Sequence, residues 1–176
     1  MRWIVFAAFG AAAAAALADD NPCAGFTWDV SRERALFATA AEPVPGGKND
    51  ASAPLLAPDQ LYELALAPQE QVAFAAPPGR KKGVEGASGG LARLHLTAAG
   101  DYRIALDQAF WIDVVANHQI VASKDFQGRP GCQAPHKIVL YSLPAEKDLI
   151  LQFSGATAER LKLTITPVAK TANDAR

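Results

Sequence analysis

Gly100-Asp-Tyr-Arg-Ile-Ala-Leu-Asp-Gln-Ala-Phe-Trp-Ile-Asp-Val-Val-Ala-Asn-His-Gln-Ile-Val-Ala-Ser-Lys-Asp-Phe-Gln-Gly-Arg-Pro-Gly-Cys132 is the stretch whose reading decides the fold. It holds three short runs of alternating apolar and polar residues, Tyr102–Leu106, Trp111–Ala116 and Gln119–Ser123. Asn117-His118 separates the last two at the spacing of a two-residue hairpin, and asparagine accepts the positive φ that such a turn demands. The same stretch gathers aromatic, acidic and histidine side chains and ends on one of the two cysteines.

Outward from this hairpin the period of two continues. Upstream, Tyr62, Leu64 and Leu66 share one face, then Val72, Phe74 and Ala76, then Leu94 and Leu96. Downstream, Lys137–Leu143 is nearly continuous in apolar residues, as a central strand would be. Leu149, Leu151 and Phe153, then Leu161, Leu163 and Ile165, complete a set of about nine strands. Turn residues punctuate the runs at roughly 8–12 residue intervals, the rhythm of an antiparallel sandwich. No helical pattern separates the strands, which excludes parallel β-α-β units. The expectation is an all-β chain: an antiparallel, jelly-roll-like β-sandwich over residues 60–168, with a short helical segment before it. At 176 residues the length suits one domain.

Residues 1–18 read as a signal peptide, with Arg2 as the positive start, an apolar run from Trp3 to Ala15, and Ala16-Leu17-Ala18 before Asp19-Asp20. Cleavage is expected between Ala18 and Asp19, and the processed chain is expected in the periplasm or outside the cell. No other apolar stretch approaches the roughly 20 residues of a spanning helix, so no stable membrane insertion is expected. Export gives the two cysteines their meaning. Cys23 and Cys132 are expected to form one disulfide in an oxidising compartment. A metal site is the competing use, but there is no C-x-x-C or H-x-x-x-H, and His95, His118 and His136 are scattered. No metal and no cofactor are expected.

The segment 19–59 has a different texture. Ser31 is placed to cap a short helix, with Glu33 in its first turn and Leu36, Phe37 and Ala40 on its apolar stripe. Trp28 is expected to pack on the outside of the sandwich. Residues 42–59, with Pro43, Pro45, Gly46-Gly47, Pro54 and Pro58, read as a linker without elements of its own. The glycine-rich, basic stretch Gly79–Gly90 lacks the Gly-Lys-Ser/Thr order of a phosphate loop and reads as a mobile connection between strands. Residues 169–176 are expected to be a disordered tail.

The segment Gly100–Leu106, the hairpin run Ile112–Asn117 and the closing strands to Thr166 resemble the bacterial pre-peptidase C-terminal (PPC) type of jelly roll. The tract from Trp28-Asp29 through Phe126-Gln127-Gly128 also resembles a group of small exported proteobacterial proteins of unassigned activity. The resemblance implies a β-sandwich that accompanies or binds rather than catalyses.

The formal net charge is −1 and the longest charge block is Arg80-Lys81-Lys82, so no nucleic-acid surface or polybasic membrane patch is expected. Serine catalysis lacks its elbow motif. Asp113 and Asp125, with His136, could in principle serve a hydrolase, although Asp107, Asp125 and His118 all stand where solvated turn residues belong. Whether the chain is an enzyme stays open at this point, and binding is the reading the residues favour. If Ile112 and Val114 face the core, alternation sends Trp111, Asp113 and Val115 to the opposite face. An outward tryptophan beside an acid makes a platform for a glycan or for another envelope protein. The candidate site is Trp111, Asp113, His118, Asp125, Arg129 and His136. Two alternatives stand beside it: a structural or assembly protein of the envelope, in which the N-terminal segment covers Trp111 through Trp28 or Phe37, and the hydrolase.

Overall fold

Alternation of apolar side chains forces a strand to bury one face, and two such sheets solve the problem by facing each other. The computed structural model of the chain does this with residues 21–80 and 84–169, which are those described. The expected signal peptide, the tail beyond residue 169 and the middle of the glycine-rich connection lie outside the described residues.

The elements are α1 (Ser31–Phe37), β1 (Glu42–Pro45), β2 (Leu55–Leu56), β3 (Leu61–Ala65), β4 (Ala67–Pro68), β5 (Ser88–His95) and β6 (Gly100–Leu106). They continue with β7 (Trp111–Ala116), β8 (Gln119–Val121), β9 (Asp125–Gly128), β10 (Lys137–Leu143), β11 (Asp148–Ala156) and β12 (Arg160–Pro167). One sheet runs β1-β3-β12-β6-β10-β9 and the other β2-β5-β11-β7-β8, with β4 beside β5. The eight principal strands, β3, β5, β6, β7, β8, β10, β11 and β12, interleave as first-eighth-third-sixth against second-seventh-fourth-fifth. That order is a jelly roll. Between the sheets pack Tyr62, Leu64, Ile104, Leu106 and Leu163 from one side and Leu94, Ile112, Val114, Leu151 and Phe153 from the other. The hairpin between β7 and β8 turns on Asn117 and His118, both at positive φ (51° and 60°), as the right-handed strand twist requires.

Among the described residues twelve strands stand where about nine were expected, and the differences have physical causes. Residues 42–59 are not an empty linker. They supply β1, parallel to β3, and β2, parallel to β5, because short edge pieces tolerate the prolines that a central ladder rejects. Conversely, Val72–Ala76 is not a strand. It crosses the outer face of the second sheet as an irregular strap, with Val72 against Leu91 and Ala53. The side-chain amide of Gln152 replaces a ladder partner there, accepting from Ala76 N at 3.3 Å and donating to Ala76 O at 3.1 Å.

The N-terminal segment crosses the outer face of the other sheet. Val30 packs on Ala105 and Ile138, with Phe26, Trp28 and Phe37 around them. Ser31 does not cap α1. It is the first helical residue, and its N–H donates to Asp29 Oδ1 at 2.9 Å; this bond holds the Asp29 carboxyl below its ordinary range. Glu33 stands in the first turn of α1, as expected, and is buried there. It accepts from Thr166 Oγ1 at 2.6 Å and lies 3.6 Å from Arg103, whose guanidinium covers the Trp28 ring at 5.0 Å. The Cys23–Cys132 disulfide is present and ties the start of this segment to the loop after β9.

Asp107, just past β6, adds a pH dependence. Burial pushes its carboxyl up to about 6, against the opposing pull of the Lys162 N–H that it accepts at 2.9 Å. A carboxyl raised in the folded state binds more protons there than in the unfolded chain, so this group's stabilising contribution falls as pH rises from about 4 to about 6. Asp107→Asn keeps the acceptor and removes the titration. Denaturant unfolding at pH 4, 5, 6 and 7 should give a flatter profile for Asp107→Asn than for the parent. Parallel profiles would refute this assignment.

Candidate functional site

The site begins with the first residue of β7. Ile112 and Val114 enter the core, so Trp111, Asp113 and Val115 point to the outer face. That face is not open along its length. The strap of residues 72–79 lies across it, and Asp113 is only 4 % exposed. Its carboxyl accepts three hydrogen bonds: from Trp111 Nε1 at 2.8 Å, from Gly79 N at 3.0 Å and from Gln152 Nε2 at 3.1 Å. The expectation of a surface acid beside the tryptophan is therefore corrected. Asp113 is a buried anchor that orients the indole and pins the strap. Gly79 is required at this point, because a Cβ there would stand 2.8 Å from Asp113 Oδ1 and 3.2 Å from Trp111 Nε1.

Trp111 itself is 37 % exposed. The N-terminal helix does not cover it, because Trp28 and Phe37 pack on the opposite sheet. Trp111 forms one side of a groove of about 340 Å³ at the place where β7 starts beside β10 and β9. Phe126, 65 % exposed, and the buried Phe110 line the same groove. Lys137, Arg80 and His136 supply the polar rim, and no carboxylate lines the groove among the described residues. The Lys137 ammonium lies 5.2 Å from the centre of the Trp111 ring and donates to Phe110 O at 3.3 Å. Burial lowers its pKa, and the nearby Arg80 charge adds to that, while the Asp113 charge opposes it. Arg80 is placed by its bond to Gly155 O at 3.1 Å. Below, Tyr141 donates to Ile112 O at 3.2 Å, and burial holds its phenol above the ordinary range.

The six residues singled out in the sequence separate in space. Trp111 and His136 meet at the groove, with Asp113 beneath. Arg129 turns away to cover the Phe26 ring at 5.3 Å and helps seat the N-terminal segment. The Asp125 carboxyl accepts from its neighbour Phe126 N at 2.7 Å and does not line the groove. His118 sits at the far end of β7, about 17 Å along the strand by the usual rise. It lines a different hollow with Asp50, Arg93 and Asp148. Phe126, Lys137 and Arg80 escaped the sequence reading. Phe126 and Arg80 lie in stretches that read as loops, and Lys137 looked like the polar start of a buried strand. A hollow of about 370 Å³ is lined by Val72, Phe74 and Val84, and among the described residues no Lys or Arg lines it. Among the described residues, no group of three or more His, Cys, Asp or Glu side chains is placed to hold a metal.

Fold and groove together define an all-β, sandwich-like protein with one disulfide and an aromatic, cation-rimmed groove at one end of a hairpin strand. Comparison with family models, curated proteins and solved structures finds no match to this chain.

Proposed function

We propose that this is an exported, non-catalytic binding or accessory module, acting in the periplasm or outside the cell through the groove between Trp111 and Phe126. The observation that carries the reading is the exposure of two large aromatic rings on one groove while the neighbouring acid is buried and held by three hydrogen bonds. Exposed aromatic area is costly to leave in water and is typical of contact surfaces. Catalysis by Asp113, Asp125 and His136 finds no support in their placement: Asp113 is spent on structure, and neither aspartate lines the groove that holds His136. The resemblance to PPC jelly rolls agrees with an accompanying or binding role. No helix among the described residues is long and apolar enough to cross a membrane.

The test is a binding screen against glycans, peptidoglycan fragments and peptides, repeated with Trp111→Ala. The variant should weaken binding at least about tenfold, or about 1.4 kcal/mol. Its stability should fall by about 1–2 kcal/mol, well short of the roughly 3–5 kcal/mol of a fully buried tryptophan. Undiminished binding by Trp111→Ala would sink the groove as the site.

A further inference from the structure

We propose that the groove takes an acidic saccharide, a sugar chain bearing carboxylate groups, with a ring lying against Trp111 and Phe126 and its carboxylate toward Lys137 and Arg80. The inference rests on the binding-module reading and names its ligand class. Charge is the first argument. The protein as a whole is nearly neutral, with 17 basic and 18 acidic residues. The rim of this groove nevertheless carries Lys137, Arg80 and His136 and no acid among the described residues. The nearest carboxyl, Asp113, is buried and engaged by three donors; its single negative charge reaches Lys137 but is outnumbered by Lys137 and Arg80. An anion is favoured on the rim and a cation is opposed.

Shape and surface chemistry are the second argument. A groove of about 340 Å³ lies at the small end of ligand pockets, which run from roughly 300 to 1,000 Å³, and suits one or two rings. Aromatic faces are electron-rich, so they accept the C–H face of a sugar ring while the ring's edge stays available for polar contacts. A carboxylated sugar offers an apolar face and a negative charge within a single ring. An extended peptide sends successive side chains to opposite faces, so an acid and an apolar group on one side are set about 7 Å apart along the chain. The indole is held in place before any ligand arrives, by Asp113 at its nitrogen and Lys137 over its ring, so little ordering is needed on binding.

The experiment titrates the exported protein with tri-galacturonate and, in parallel, with the neutral galactotriose, reading Trp fluorescence and heat. The acidic trimer should bind at least tenfold more tightly, and raising salt from 0.05 M to 0.5 M should remove most of the difference as charges are screened. Arg80→Gln, an exposed position, should weaken the acidic trimer severalfold and weaken it more than the neutral one. Lys137→Met should act in the same direction, and if it fails to fold, Arg80→Gln and the salt series decide. Equal affinity for both trimers would overturn the acidic preference while leaving the groove as a sugar site. No sugar binding, together with an acidic peptide whose binding Trp111→Ala abolishes, would overturn the saccharide class and leave the groove standing. Failure of every ligand to respond to Trp111→Ala would overturn both readings.

Discussion

Replacing Cys23 and Cys132 together by serine is expected to lower unfolding stability by about 3 kcal/mol. The disulfide spans a separation of 109 residues, so its loss returns a long loop's freedom to the unfolded chain. The loop-entropy account gives between about 4 and 5 kcal/mol for a closed loop of this size, and measured bridges generally deliver about 2–4. The damage in the native state should be uneven. The segment 24–40 rests on one sheet through Val30, Trp28 and the buried Glu33–Thr166 bond, whereas the core between the sheets does not touch the bridge. Hydrogen exchange should therefore quicken through α1 long before it does in β6, β10 or β11. Denaturant unfolding decides the magnitude, and a loss below about 1 kcal/mol would refute the loop-entropy account for this protein.

Asp113→Ala should cost about 2–4 kcal/mol, a large effect for a residue next to a surface groove. The substitution leaves three donors without their acceptor, of which the Gln152 amide is fully enclosed. A buried donor so abandoned costs about 1–3 kcal/mol, while the indole N–H and Gly79 N–H recover part of their loss from water. Gln152 also holds Ala76, so the strap over the second sheet should loosen with it. Trp111 should then lose its fixed orientation, and its fluorescence should shift toward that of a hydrated indole. Thermal unfolding within about 0.5 kcal/mol of the parent, with unchanged emission, would show that Asp113 is not the anchor described.

Legibility of the chain followed the range of the interactions involved. Period-two runs, the Asn117-His118 turn and the pairing of two cysteines depend on neighbours along the chain or on a count, and each was readable. The short strands β1, β2, β4 and β9 were not, because an edge pair of two to four residues leaves too few alternations to stand out from a proline-rich loop. Val72–Ala76 misled for the opposite reason: it alternates like a strand, yet it is satisfied by the side chain of Gln152 from a distant strand. At the site, β alternation correctly turned Trp111 and Asp113 to the same outer face, and nothing local could say what covers that face.

The amino-acid sequence by itself determined the all-β class, the two-faced strands, the central hairpin and the partner of each cysteine, because burial periodicity and turn stereochemistry act over a few residues. Only the tertiary structure decided that the strap from residue 72 to 79 closes over Asp113 while the N-terminal helix takes the opposite sheet, leaving Trp111 and Phe126 exposed on one groove. The physical reason is competition for a surface. Each segment packs apolar side chains on a sheet, and the choice between the two faces rests on long-range partners: Glu33 for Thr166, and Asp113 for Gly79 and Gln152.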